Sequence, residues 1–537
     1  MYPGNEDEFH NVDNRITLSI SENLDTNIKN IEKLFSNCAD LIKREVDIGE
    51  KCPIKIYGVY VDGLVNRTII ESFFLSRIVD YKNLGDDETD VNGVSPTKLI
   101  MSHFSATFDI KEVRNMDDMV RGILSGDAAI FVENTNVGLM ISCRGWPGRG
   151  ISSPETEKVI RGPKEGFVET IRFNTVLIRR RIRDTKLKVE MVSMGNRSRT
   201  DIAIMYIEDI VKPRVVDDIK SKLDKYEIDG VFDSGYVEQL IEDSWKSPFP
   251  QTQATERPDK VAASLMEGKV AVVVDTSPFV LILPTTLNSF FQASEDYYQR
   301  WEIMSFTRIL RYFVSFLAFA LPGLYLAVLN FHPAMLPTTL AVSIASSREG
   351  LVIFSVLEII LMEIAFELLK EAGLRLPGPI GHAIGVVGGI VIGNSAVDAK
   401  LISPMVVIIV ALTAIATFAI PDYSLTTAFR LVKYGFIMVC ATFGLYGFFL
   451  GIMLMLAHLA SLESFGTPYL APYVSSEDRA SNGLRDTVIR YPLFMQARRP
   501  RQAMADQKTR IRLKNSSSIT QTPPGPDSRP NQKGIRK

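Results

Sequence analysis

Apolar and polar residues are distributed along this chain in two unlike ways. Up to about residue 311, short apolar runs alternate with dense Asp, Glu, Lys and Arg, whereas from 312 to 465 long stretches carry no charge. A helix needs about 20 apolar residues to cross roughly 30 Å of hydrocarbon. Five stretches meet that length, at 312–331, 351–369, 379–397, 401–421 and 434–461. A further uncharged run from Ala334 to Ser347 is broken by Pro337. It is too short to span comfortably and reads as a re-entrant or interfacial segment sheltered by protein.

In the first half the pattern occurs twice. Tyr60 and its β-branched surroundings align with Tyr206 at an offset of 146 residues, and Gly126 to Glu133 align with Gly268 to Asp275 at an offset of 142. Each copy predicts a strand and then an amphipathic helix, at 69–82 and 214–225, with apolar residues three and four apart. Each closes in a hairpin, the first with strands at 128–132 and 137–142, the second at 270–274 and 279–283. Between them, residues 144–163 are rich in Gly and Pro and read as a long loop. The predicted fold class is therefore a pair of tandem duplicated α/β soluble subdomains followed by an α-helical polytopic membrane domain. The expected organisation is an N-terminal segment (1–45), subdomain 1 (46–195), subdomain 2 (196–300), the transmembrane helices (301–470), and a basic tail (471–537) whose end is too polar to bury a core.

Within the apolar half, Gly381, Gly385, Gly389 and Gly393 recur every four residues. On a helix they form one stripe along which another backbone can approach closely. Intrachain packing and a subunit interface or narrow pore wall both fit it. The second stretch contains Glu358, Glu363 and Glu367. A charge at membrane depth costs roughly 2.5–3.5 kcal/mol or more, so it faces water or a partner. Glu367, near Lys370, reads as reaching the interface. Glu358 and Glu363 either line an ion path or pair with Arg348 or His382. Arg348 and Glu349 open this stretch, and Asp398 and Lys400 close the next, in the manner of membrane-edge anchors. His332 and Pro337 mark irregular backbone at the boundary and fit either a gate or a turn.

Charge then orients the chain. Arg300, Arg308 and Arg311 precede the first stretch, and the tail beyond Leu470 holds fourteen Lys or Arg against five Asp or Glu, which puts both ends in the cytoplasm. That needs an even number of spans, and four full crossings plus one broken or re-entrant element are expected. Met1 to His10 lack the basic and apolar regions of a secretory signal. The formal net charge of −2 gives no bias toward nucleic acid. The one dense basic run of the soluble half, Arg179 to Arg183, reads as a solvated or inter-subunit face.

Catalytic chemistry is not suggested. Gly145, Gly148 and Gly150 have the wrong spacing for a dinucleotide fingerprint, and Gly268-Lys269 lacks the rest of a phosphate loop. Five histidines and four scattered cysteines show neither metal-ligand spacing nor a disulfide framework. The expectation is a protein that is not an enzyme and has no cofactor.

Several motifs carry a resemblance when taken in order: Gly162-Pro163 to Glu169, Pro284-Thr285-Thr286, Ser294-Glu295-Asp296-Tyr297-Tyr298, and Ser343 to Gly350. They continue through Glu363 to Pro377, Gly388 to Gly393, and Ser403-Pro404. Over about residues 55–500 the chain resembles the A subunits of the GerA family of spore germinant receptors of endospore-forming bacteria. It departs from the family pattern after Gly350, where Leu351 to Phe354 replace a Pro-Phe-Pro stretch and put the start of the second stretch in question. The resemblance implies a multi-pass subunit in the spore inner membrane, working with a transporter-like B subunit and a lipoprotein C subunit and triggered by small nutrients such as amino acids or sugars. It further implies that B supplies the germinant pocket and that A subunits form an ion-conducting homo-oligomeric ring. A membrane scaffold and a secondary transporter are the alternatives.

Overall fold

The structure, a computed structural model, describes residues 16–48, 54–70, 109–145, 153–375, 378–474, 486–496, 498–500, 503–504 and 509–511. The soluble half contains two five-stranded sheets with one and the same topology. The first is built from β1 (Leu41–Ile48), β2 (Ile54–Val61), β3 (Ile110–Val113), β4 (Ala128–Val132) and β5 (Gly138–Ile141) in the order β1-β2-β4-β5-β3. The second is built from β6 (Leu187–Met194), β7 (Thr200–Ile207), β8 (Gln253–Thr255), β9 (Val270–Val274) and β10 (Val280–Leu283) in the order β6-β7-β9-β10-β8.

The repeat seen in the sequence is a repeat of backbone conformation as well. Gly126 and Gly268 both adopt positive φ, 94° and 88°, and so do Asn134 and Thr276, 61° and 67°, in the two hairpin turns. At Gly126 and Gly268 the chain leaves a helix for a strand in the left-handed region, where a side chain would be strained. Helices α1 (Leu24–Leu34) and α2 (Met116–Ser125) cover one face of the first sheet. The predicted 69–82 helix falls mostly outside the described residues.

In the second sheet both faces are covered, which is why β7, β9 and β10 read as unbroken apolar runs rather than alternating ones. Ala203, Met205, Ala271 and Val273 pack toward α3 (Ile171–Arg179) and α6 (Pro258–Met266). Ile202, Ile204, Val272 and Val274 pack toward α4 (Pro213–Leu223) and α5 (Ser234–Ile241). β6 and α3 thus belong to the second unit although they lie inside the 46–195 segment. β1 likewise starts before residue 46.

The Arg179 to Arg183 run is not a solvated face. Arg179 is 1% exposed and donates to both carboxylate oxygens of Asp40, while Arg180 and Arg181 pair with Glu165. Val189 of β6 also exchanges backbone hydrogen bonds with Asn37 and Ala39, so the two units are joined by backbone as well as charge.

After the short α7 (Leu287–Phe291), the second half is helical: α8 (Trp301–Phe331), α9 (Thr338–Ser347), α10 (Ser355–Arg375), α11 (Gly378–Asp398), α12 (Pro404–Phe418) and α13 (Tyr423–Ser461). Among the described residues, α8 and α13 are long and apolar enough to cross a membrane. Leu351 to Phe354 are not helical, so α10 starts later and ends later than the apolar run suggested.

α13 is not one rod. Gly444, at φ 59° and ψ −139°, interrupts it. Phe436 and Phe448 would be about 18 Å apart on a straight helix at 1.5 Å per residue, yet their rings lie 6.0 Å apart. The chain folds back at Gly444 into two antiparallel arms, 423–443 and 445–461. Phe249 of the soluble half confirms the reversal by touching both open ends, with Phe429 and His458 each 6.0 Å away.

Among the described residues, six helical legs follow. α8 leaves the soluble half and α10 returns, since Ser355 Oγ bonds Asn330 Oδ1 at 3.1 Å at the distal end. Lys370 then lies 5.9 Å from the rings of Phe418 and Tyr423, bringing the ends of α10 and α12 and the start of α13 together on the proximal side. α11 and the first arm of α13 run outward, and α12 and the second arm run back. The 434–461 stretch, expected as a single span, therefore contains a reversal, because a glycine in an uncharged run gives no signal of one.

Candidate functional site

α10 brings three carboxylates into the bundle. Glu358 sits in its first turn, where the positive end of the helix dipole favours an anion. It is fully buried; Oε1 accepts from Arg348 Nη2 at 3.0 Å and Oε2 accepts the Ser403 backbone N–H at 3.0 Å. One carboxylate thereby ties the α9–α10 connection to the start of α12. Of the two basic partners considered from sequence, the structure brings Arg348 to Glu358.

Glu363 and Glu367 stand one turn apart on α10 and face Lys433 and Arg430, three residues apart on the first arm of α13. Because those two legs are antiparallel, Glu363 meets Lys433 and Glu367 meets Arg430, the latter at 3.3 Å. The Glu363 and Lys433 side chains are 1% and 3% exposed. Glu367 is thus drawn to Arg430 as well as lying near Lys370. Lys433 was missed because it directly precedes the apolar stretch at 434; the signal was the i,i+3 spacing of Arg430 and Lys433, matched to the i,i+4 spacing of the two glutamates.

The remaining candidates lie apart from these pairs. His332 caps the end of α8 and Pro337 precedes α9, both exposed in the distal connection, and Glu349 is exposed beside Arg348. On α11 the side-chain surroundings of Gly381, Gly385 and His382 lie outside the described residues. A Cβ on Gly389 would meet nothing within 4 Å, and one on Gly393 only Val407 at 3.8 Å. Both line an apolar groove of about 300 Å³ shared with Met362, Phe366 and Val410. α11 comes close to α10 one residue off the stripe, at Gly388, whose Cβ would lie 2.8 Å from Leu369.

A second polar cluster fastens the soluble half to the first leg. Arg308, fully buried, bonds Asp296 at 3.1 Å, Asp486 at 2.7 Å and the Thr487 carbonyl at 3.1 Å. Arg311 joins it on Asp296, and the Tyr297 hydroxyl donates to Asp486 at 2.6 Å. Arg308 and Arg311, read from sequence as orienting charges, are turned inward onto the Ser294-to-Tyr298 motif and the tail. Elsewhere in the head, at the end of α5, Glu242 accepts the Gln251 N–H at 3.2 Å, and burial, then Glu238 and Asp243, push its carboxyl up to about 7.

A duplicated α/β head fastened by buried ion pairs to a bundle of apolar helices, in which Glu358 and Glu363 are buried in ion pairs, is the arrangement of a membrane protein with a large head. The family described as Bacillus/Clostridium GerA spore germination protein matches residues 29–502, and the chain belongs to it. It is 39% identical over 491 residues to spore germination protein KA of Bacillus subtilis, covering 91% of this chain and 88% of that one. It is 38% identical to spore germination protein GerLA of Bacillus cereus, covering 85% and 91%. The crystal structure of the N-terminal domain of the A subunit of the Bacillus megaterium spore germinant receptor GerK3 is 32% identical, covers 50% of this chain and 97% of that one, and superimposes with a TM-score of 0.40.

Proposed function

We propose that the chain is the A subunit of a nutrient germinant receptor in the spore inner membrane, with a transporter-like B subunit and a lipoprotein C subunit as partners. Several copies assemble, and the assembly conducts ions when germinant arrives, which starts germination. The supporting observation is the open face at Gly389 and Gly393 of α11 beside a helix whose buried carboxylates are held by ion pairs, with the Ser403 N–H as the further hold on Glu358. Backbone can approach that face from another copy, and movement of α10 would exchange Glu358 and Glu363 between basic partners and water. Six legs starting and ending on the head side agree with both termini in the cytoplasm.

The test is ion release from vesicles holding the three-subunit complex after germinant is added. Glu358→Gln and Glu363→Gln should each reduce it at least about tenfold, and a complex that stays impermeable with partners and germinant present removes the proposal. A passive scaffold is the second reading, favoured by the fact that each of the three carboxylates already has a partner within one chain. It expects both variants to germinate with unchanged ion release. Saturable, counter-ion-coupled uptake would instead indicate a secondary transporter.

A further inference from the structure

The two copies of the head repeat differ in charge at one buried position. In the first, Asp127 follows the positive-φ Gly126 and holds Arg144, just beyond β5, through hydrogen bonds of 2.9 and 2.7 Å. At the 142-residue offset these two become Lys269 and Thr286. Lys269 is 5% exposed, yet no carboxylate answers it. Among the described residues its one hydrogen bond is to Ser289 Oγ at 3.2 Å, which in turn meets Thr286 Oγ1 at 3.2 Å. Burial pulls the ammonium below the usual lysine range. A buried cation with a hydroxyl for its sole partner is costly, because a counter-charge is what offsets its desolvation.

Lys269 lines a cavity of about 300 Å³ between α6, the segment after α7, the Ser294–Tyr297 turn that leads toward α8, and the tail, which contributes Arg490 and Leu493. Arg490 is 6% exposed; its Nη1 donates to the Gln299 carbonyl at 3.3 Å, but its Nε–H has no acceptor. Ser294 Oγ is likewise buried without a partner. Two acids line the same cavity, and both are engaged. Asp259 Oδ2 accepts from Arg257 at 2.9 Å and from the Tyr298 hydroxyl at 2.6 Å, and Glu267 faces Arg510 at 3.8 Å. Asp259 Oδ1, however, is buried with no donor. The unused capacity is therefore two cationic donors, a hydroxyl and one carboxylate oxygen. A single water, whose share of liquid volume is about 30 Å³, fills little of that space.

We infer that this cavity is a binding site for a small oxyanion, a carboxylate or a phosphate, that also carries a hydroxyl. The charged oxygens meet Lys269 and the Arg490 Nε–H, and the hydroxyl donates to Asp259 Oδ1. Hydrogen bonds to an ionised group are about twice as strong as neutral ones, and the first copy already satisfies the equivalent position with an ion pair of its own. The site goes beyond the receptor reading and does not depend on it. Because its walls come from the head, from the turn before α8 and from the tail, an occupant holds the three together, and its departure frees the first leg to shift against the head.

The test uses the full chain in detergent, titrated calorimetrically and unfolded thermally in sodium phosphate or sodium malate against sodium chloride of equal ionic strength. At about 10 mM, one of the two oxyanions should raise the unfolding midpoint by at least about 2 °C more in the parent than in Lys269→Met, a difference from which the general salt effect cancels. A response to phosphate alone assigns a phosphate ligand, and a response to malate alone an organic carboxylate. Lys269→Met should weaken the titrated binding at least about tenfold, while the unliganded variant keeps parental stability or exceeds it, since an unpaired buried charge has been removed. Ala263→Leu narrows the cavity from an exposed position on α6 and leaves every charge in place, so it should weaken binding as strongly. Binding of neither anion overturns the site, as does parental affinity in either variant.

Discussion

Replacing Lys433 by Met leaves the Glu363 carboxylate buried between apolar legs without its counter-charge. Breaking a buried pair from one side costs about 3–5 kcal/mol, whereas replacing both partners by apolar residues of similar volume is close to neutral. Lys433→Met should therefore lower thermal stability in detergent strongly, and Glu363→Leu with Lys433→Met should recover most of the loss. A different sign applies at Glu242, whose folded-state carboxyl is raised to about 7. Between about pH 4.5 and 7 the folded chain holds a proton there that the unfolded chain has released, so stability falls as pH rises through this window and levels off above it. Glu242→Gln should flatten that slope in thermal unfolding followed from pH 5 to 8; an unchanged slope would assign it to another group.

At the scale of elements, Gly444 controls the path of the last third of the bundle. Its φ of 59° with ψ of −139° is open to glycine almost alone. A Cβ there would also lie 2.8 Å from Phe331 Cγ. Gly444→Ala should cost more than the roughly 1–3 kcal/mol of backbone strain, seen as lost yield of folded protein in detergent, and Phe331→Ala should relieve the clash but not the strain. If Gly444→Ala folds with parental stability, the reversal between the two arms is wrong. Elements of the head were legible because β7, β9 and β10 are short apolar runs between turn residues, and the 146 and 142 offsets survive as matching strands and matching positive-φ turns. The reversal in α13 was not legible, since hydropathy reports the solvent of a segment and not its direction.

For the whole molecule, two neighbouring glycines separate folding from assembly. Gly388→Leu must displace Leu369 inside the bundle and should lower monomer stability. At Gly389 a Cβ meets nothing within 4 Å, and the rest of a Leu side chain would extend into the apolar groove rather than displace a neighbour, so Gly389→Leu should cost the monomer far less than Gly388→Leu, within about 0.5 kcal/mol. If copies meet on the glycine face, it should also shift the detergent-solubilised mass toward monomer. Mass measurement beside thermal unfolding reads both effects, and an unchanged mass for Gly389→Leu would place the subunit contact elsewhere.

Sequence by itself determined which solvent each half requires and that the head is a duplication, because apolar length and strand periodicity are local properties summed along the chain. It also supplied the three carboxylates of α10, although it could not say what they face. Only the tertiary structure decided that Glu363 meets Lys433, that Arg179 crosses from one sheet unit to the other, that Arg308 is a buried tie to the tail, and that α13 is two legs. Each of these joins residues distant in sequence or depends on the direction of one backbone turn, and periodicity carries information about neither.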